Sequence, residues 1–311
     1  LEPLQRQIVL VVRETRLEEL IRRFNTAGQA RFYIEHLGAD FSDYEAEHRR
    51  YLEATRSVEE TLRRYARVQK LERRYLANFI FPPEALVVVL GQDGLVANTL
   101  KYVGAQPVIG VNPDPERWDG ALLPFKVGDL NKIVPLAQAG KRPTRRITMA
   151  AARLADGQVI HAVNDLFIGP RSHVSARYSI RIGERVEQHS SSGLIVSTGL
   201  GSTGWFKSVL AGAAGIADAH MSAAHAKLRE QGFAWESAFL YFTVREPFPS
   251  RTTQASLTFG QITPEKPLEL TSQMPDYGVI FSDGIETDRL EFNAGMTASI
   301  TVADRFGTLL E

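Results

Sequence analysis

Residues 86–94 read Leu-Val-Val-Val-Leu-Gly-Gln-Asp-Gly, an apolar run that stops at a glycine-flanked turn. Five consecutive apolar β-formers with no alternation predict a strand buried on both faces, the kind found inside a parallel sheet. A short helical stretch, residues 95–103, follows and ends at Gly104, and a second apolar strand comes at residues 107–111. Strand, glycine turn, helix and strand in that order build a ligand site at the carboxyl end of a central strand. Asp93 sits in the turn, where a carboxylate can reach a bound hydroxyl. Taken alone, Asp-Gly is a common surface-turn dipeptide. The buried strand before it is what turns the reading toward a site.

The chain has 311 residues, enough for two domains. Residues 1–140 read as α/β. Residues 7–13 form a candidate buried strand, and Thr15-Arg-Leu-Glu18 is a capping box that opens a helix. Ser42-Asp-Tyr-Glu45 and Ser57-Val-Glu-Glu60 have the same form. From Asp43 to Leu76, Tyr44, Tyr51, Val58, Leu62, Tyr65, Val68, Leu71 and Tyr75 recur at helical steps with gaps. This predicts two amphipathic helices broken near Arg56, packed on their own domain or contributing a subunit contact.

Residues 138–144 read as a linker, after which the period changes. Short strands are predicted at residues 145–153, 158–168, 177–182, 186–189, 194–198, 239–245, 254–259, 268–273, 278–282 and 298–303. Such a series argues for a β-rich domain over 145–288. One helix interrupts it near Ser202 and extends toward Arg229. The fold class is therefore α/β plus all-β: an N-terminal α/β domain with a parallel sheet and a C-terminal β-rich domain.

Gly199-Leu-Gly201-Ser-Thr-Gly204 matches the dinucleotide fingerprint G-x-G-x-x-G, and Asp218 lies near the spacing expected of a ribose-binding acid. The second parallel strand that this motif requires is missing, because residues 211–225 are Ala-rich and helical. What remains is a helix start with free N–H groups and the hydroxyls of Ser202 and Thr203. His220 and His225 are five apart and share no helical face, and cysteine is absent, so no protein metal site is expected. No P-loop and no nucleophile elbow is present.

The formal net charge is zero, with 44% hydrophobic and 23% charged residues, which gives no basis for a nucleic-acid partner. No apolar run reaches membrane-spanning length. The lack of cysteine and of a visible signal peptide sets the expectation of a cytoplasmic protein, although Leu1 in place of methionine leaves room for a leader before it.

These segments together resemble the NAD kinase family. The family's Gly-Gly-Asp-Gly is matched by Gly91, Gln92, Asp93 and Gly94, and its Pro-Val-x-Gly-Val-Asn by residues 107–112, ending at Asn112. Its Asn-Glu pair is matched by Asn164 and Asp165, and its Gly-Leu-Ile-Val-Ser-Thr-x-x-Gly-Ser-Thr by residues 193–203. The mitochondrial-type branch is the most similar, through Asp-Pro-Glu-Arg at residues 114–117, Ser191-Ser192-Gly193, and Trp205 in place of a tyrosine. The match runs from about Leu86 to Ser208 and continues more weakly through Ser282-Asp283-Gly284.

The resemblance implies two domains with the site between them, and packing of residues 289–311 back on the first domain. It implies transfer of the γ-phosphoryl of ATP to the 2′-hydroxyl of the adenosine ribose of NAD, with Mg²⁺, in a homodimer or tetramer. Asp93 would be the general base. Gly91, Gln92 and Gly94 would cradle the donor phosphates. Asn112, Asn164, Asp165, Ser192, Thr203, Gly204, Trp205 and Ser208 would bind NAD, Trp205 by stacking. Alternative roles are core packing for Trp205 and a plain turn for Asn164. Gln92, where the family has glycine, and the shorter Asp165 are the two departures. They leave open a lipid or sugar kinase on the same scaffold, or a dinucleotide sensor without catalysis.

Overall fold

The structure is a computed structural model that describes residues 7–217 and 223–311. It divides into two compact units, Leu1–Arg145 with Gly307–Glu311, and Arg146–Phe306. Of residues 289–311, only the last five belong to the first unit.

The first unit is built on parallel strands β1 (Ile8–Val12), β2 (Val68–Glu72), β3 (Leu86–Leu90), β4 (Pro107–Asn112) and the short β5 (Phe125–Lys126). β1 lies between β2 and β3, and β4 follows β3. β5 pairs with the carboxyl end of β4, all in parallel register. Every residue of β1 and β3 is buried, which explains their unbroken apolar sequences. From β1 the chain runs first to β2 on one side and then crosses to β3 on the other. That reversal opens a crevice at the carboxyl ends of β1 and β3, the position where open α/β sheets bind ligands.

Among the described residues five α-helices complete this unit: α1 (Arg16–Phe24), α2 (Ala27–His36), α3 (Ser42–Arg63), α4 (Asp93–Leu100) and α5 (Leu130–Gln138). The capping box of Thr15 and Glu18 forms as expected at α1. Ser42 makes none, because its hydroxyl donates to Asp40 instead. α3 is one unbroken helix rather than two. Tyr51, Ala54, Val58 and Leu62 keep a single buried stripe through Arg56, so Ser57 lies inside the helix instead of capping a new one. That stripe joins the core of Ile8, Leu10, Val88 and Leu90. Val68 and Leu71, expected on a helix, lie in β2.

The second unit contains β6 (Thr144–Leu154), β7 (Val159–Ala162), β8 (Asp165–Pro170), β9 (Ala176–Ile182), β10 (Arg185–Ser191) and β11 (Leu194–Ser197). Helices α6 (Trp205–Ala217) and α7 (Ala223–Gln231) follow. The strands resume with β12 (Leu240–Val244), β13 (Phe259–Ile262), β14 (Leu268–Ser272), β15 (Gly278–Ser282), β16 (Ile285–Glu291) and β17 (Thr297–Leu310). One antiparallel sheet has the order β13-β12-β11-β8-β15-β16. β10, β9, β14 and the start of β17 form another antiparallel set, joined by the β6–β7 hairpin. Alternate residues from the two sets share one core, for example Leu166 and Ile168 with Tyr178, Ile180 and Phe242.

Two expected strands differ. Residues 158–168 are two strands broken at Val163 and Asn164, whose N–H groups go to the Asp283 carboxylate instead of a ladder. Residues 254–258 are not a strand, since the N–H groups of Ser256 and Leu257 are taken by Glu187. The end of β17 belongs to the first unit, where Thr308 and Leu309 pair in parallel with Pro107 and Val108. Among the described residues no helix is long and apolar enough to cross a membrane.

Candidate functional site

In the first unit, Gly91 ends β3 with its N–H on the Val111 carbonyl at 3.2 Å. A Cβ on Gly91 would come within 2.9 Å of the Leu95 side chain, so glycine lets the first turn of α4 close down. Gln92 caps α4 with φ −120° and ψ 164°, ordinary extended backbone. The side chain at this departure from the family pattern therefore strains nothing. With ATP as the donor that the resemblance implies, Gln92→Gly is expected to change its affinity by less than about tenfold, or ~1.4 kcal/mol. Isothermal titration with ATP checks this, and a gain larger than tenfold would mark Gln92 as an obstruction.

Asp93 opens α4 and is half-buried. Its Oδ1 accepts the Leu122 N–H at 2.7 Å and its Oδ2 the Ala121 N–H at 3.3 Å. Each oxygen keeps a lone pair for a ligand. Gly94 is exposed, and a Cβ there would meet nothing within 4 Å. The protein's own packing does not require this glycine, whereas a ligand approaching the open start of α4 would.

Loop residues 113–122 reach Asp93 because β4 carries Gly110. A Cβ on Gly110 would lie 1.9 Å from the Leu122 carbonyl oxygen, so only glycine lets the loop lie on the strand. Asn112 organises the same loop. Its amide donates to the Trp118 carbonyl at 2.8 Å and its Oδ1 accepts the Asp114 N–H at 3.0 Å. Both ends of the Asn112 side chain are thus engaged within its own loop.

In the second unit, the strand break before β8 is a collecting point. Asp283, at φ 55° in the β15–β16 turn, accepts the N–H groups of Val163, Asn164 and Asp165 at 2.7–3.4 Å. The Thr198 hydroxyl donates to the Val163 carbonyl at 2.6 Å. A Cβ on Gly201 would lie 2.1 Å from the Asn164 carbonyl oxygen, and one on Gly199 would lie 1.9 Å from that of Ala234. Gly199 and Gly201 of this G-x-G-x-x-G are therefore required by contact with the protein's own backbone, whereas a Cβ on Gly204 would come no nearer than 3.4 Å to the Gly201 carbonyl oxygen. The Asp283 carboxylate, Thr198 and Gly201 fix the Asn164 backbone and leave its side chain half-buried. Asp165 is 8% exposed. Burial, and next the charge of Asp283, push its pKa up to about 7.

Ser202 is not an open donor. Its hydroxyl donates to the Gly199 carbonyl at 2.6 Å and accepts the Phe233 N–H at 3.1 Å. Thr203, Gly204 and Ser208 are exposed around the start of α6. Trp205 stacks on Phe167 at 5.6 Å between centroids, and Arg245 lies over its ring at 5.4 Å. A stacking ligand at Trp205 would have to displace Arg245. Ser192 and Trp205 line one cavity of about 660 Å³, with Arg171, Arg245 and Arg289.

The structure thus assembles Gly91, Gln92, Asp93 and Gly94 with the Asn112 loop in the first unit. In the second it assembles Asn164 and Asp165 with the turn before α6, and Ser192 with Trp205. Asp218 and His220 lie outside the described residues. Sequence reasoning passed over Arg245, which carried no signal. It also passed over the role of Asp283, whose signal was the Asp-Gly turn dipeptide.

Neither a protein-family model nor a curated protein matches the chain. Solved structures do. An NAD kinase from Archaeoglobus fulgidus in complex with ATP matches with TM-score 0.57 at 15% identity, covering 98% of this chain and 93% of that one. The chain has the NAD kinase fold. Yeast NADH kinase complexed with NADH agrees, with TM-score 0.58 at 15% identity, covering 99% of this chain and 84% of that one. The NAD kinase fold accounts for the parallel sheet of the first unit and the antiparallel sheets of the second.

Proposed function

We propose that this protein is an NAD kinase, which transfers the γ-phosphoryl of ATP to the 2′-hydroxyl of the adenosine ribose of NAD and yields NADP. The observation that carries the reading is Asp93. It is a carboxylate at the carboxyl end of a buried central strand, beside the point where the sheet order reverses, with both oxygens oriented by backbone N–H groups. The likeness to an NAD kinase solved with ATP and to an NADH kinase solved with NADH supports it.

In this reaction the 2′-hydroxyl gives its proton to Asp93 as its oxygen bonds to Pγ. The bond from Pγ to the β,γ-bridging oxygen breaks, and ADP leaves with the electron pair. The N–H groups at the start of α4, with the helix dipole, hold donor phosphates beside the open Gly94. Asn164 and Asp165 hold polar groups of the acceptor, and Thr203, Gly204, Trp205 and Ser208 take its adenine, with Ser192 on the adjoining cavity.

Among the described residues no group of three or more His, Cys, Asp or Glu side chains is placed to hold a metal ion. Mg²⁺ arriving on ATP would keep most of its waters and take one or two carboxylates besides substrate phosphates. Asp93 is the carboxylate at the turn. When bound, the ion would neutralise phosphate charge. A homodimer or tetramer belongs to the same proposal.

The test is phosphoryl transfer from ATP to NAD, NADH, diacylglycerol and simple sugars, read by mass spectrometry. NADP is the expected product. Phosphorylated lipid or sugar without NADP would replace the reading, and NAD binding without turnover would favour a sensor. Asn164→Ala is expected to raise the KM for NAD more than that for ATP. Equal effects on both would leave Asn164 a structural turn.

A further inference from the structure

One face of α3 ties together the ends of β1 and β3 and the loop after β4, at the carboxyl edge of the parallel sheet. Tyr51, 4% exposed, donates its hydroxyl to the Leu90 carbonyl at 2.9 Å. Leu90 is the last residue of β3, directly before Gly91. The same hydroxyl accepts the Arg13 N–H at 2.9 Å, at the end of β1. One turn earlier on α3, Glu47 pairs with the Arg13 guanidinium at 2.6 Å, and both side chains are nearly buried.

A further turn back, the Asp43 carboxylate takes two hydrogen bonds from the Arg117 guanidinium and one from Arg16 at 2.6 Å. A two-bond arginine–carboxylate contact fixes orientation as well as distance. Arg117 belongs to loop residues 113–122, which supply the N–H groups that hold Asp93. Arg50 of α3 adds a second anchor on Asp114 at 3.1 Å. Burial of Leu122 and Leu123 sets the depth of this loop, and Arg117 fixes its other end.

We infer that α3 is the positioning element for Asp93. Tyr51 holds the strand end that carries the Asp93 turn, and Asp43, through Arg117, holds the loop that receives the Asp93 carboxylate. The inference rests on the proposed role of Asp93 in phosphoryl transfer. Neither Tyr51 nor Asp43 touches a substrate in this account. Their effect on the reaction passes entirely through the placement of one carboxylate.

That route has a distinctive consequence. Small misplacement of a reacting group lowers turnover steeply while leaving substrate binding alone. Asp43→Asn and Tyr51→Phe are each expected to lower kcat by about tenfold to a hundredfold, with the KM values for NAD and ATP within about twofold of wild type. In an Asp93→Asn background the same substitutions should lower kcat no further, because the group they position is gone. Asp43→Glu, which can still pair with Arg117, should recover part of the loss. A general loss of stability would reduce activity equally in both backgrounds, and that result would overturn the inference. Amide hydrogen exchange provides a readout independent of activity. In Asp43→Asn the Leu122 amide should exchange at least about tenfold faster while the β1 amides stay protected. Unchanged exchange at Leu122 would also overturn it. A wild-type enzyme that makes no NADP would count against the proposed function, and the exchange result would still decide whether Asp43 anchors the loop.

Discussion

Asp93→Asn is expected to abolish most turnover, by a factor of roughly 10² to 10⁴, the usual contribution of a positioned general base. Asparagine has nearly the same shape, and its Oδ1 can still accept the Leu122 N–H that Asp93 accepts at 2.7 Å. Its Nδ2 must then face the Ala121 N–H, held by Asp93 at 3.3 Å, a mild mismatch at the longer contact. The fold should therefore survive, and circular dichroism with thermal melting verifies that before kinetics are compared. Loss in kcat with little change in either KM is the signature of a group acting in the transition state. Turnover within a few-fold of wild type would remove Asp93 from the chemistry.

The second large effect is on stability and runs through pH. The Asp165 carboxyl has its pKa raised from 3.8 to about 7, chiefly by burial and next by Asp283. A folded-state value above the unfolded one means that the fold disfavours the ionised form. The penalty is absent below the unfolded value, grows as pH rises toward the folded value, and is complete above it. Wild type should thus lose stability from about pH 4 to pH 7 through this group. A shift of about three units corresponds to roughly 4 kcal/mol, and relaxation around the site makes ~2–4 kcal/mol the expected range. Asp165→Asn keeps the size and removes the charge. It should be more stable than wild type at pH 8, with the advantage fading toward pH 4. Urea unfolding of both proteins at the two pH values measures it. A stability difference independent of pH would show that Asp165 carries no such penalty. If the carboxyl receives a hydroxyl of the acceptor, NAD should raise the melting temperature of wild type more than that of Asp165→Asn, because NAD then binds wild type more tightly.

Much of this was legible in the amino-acid order, and the reasons divide cleanly. The Asp93 turn could be read because its signal is local: an unbroken apolar strand and a turn dipeptide within nine residues. The α1 cap was equally local. The division into a helix-rich and a strand-rich part followed from periodicity. What stayed hidden depends on partners distant in sequence. Gly110 and Gly201 are glycines because the Leu122 and Asn164 carbonyls press on them, and no local pattern reports such an approach. The break between β7 and β8 depends on a carboxylate some 120 residues away. α3 looked divided near Arg56 because a serine there resembles a cap, whereas the buried stripe continuing through Val58 overrides that local preference. Asn112 matched a family motif, and only the structure shows both ends of its side chain held by the loop that it shapes.

The pairing of Leu309 with Val108 bears on how the molecule is made, since the two partners lie about 200 residues apart. At ribosomal speeds of about 5–20 residues per second, β4 waits on the order of 10–40 s for the strand that covers its first residues, Pro107 and Val108. Until then that stretch is an open, apolar strand edge, the kind of surface on which nascent chains associate wrongly. The first unit therefore cannot finish its sheet as an autonomous N-terminal piece. Expression of residues 1–145 alone should yield aggregation-prone material, and supplying the segment around residues 303–311 in cis through a short linker, as in a circular permutant, should restore it.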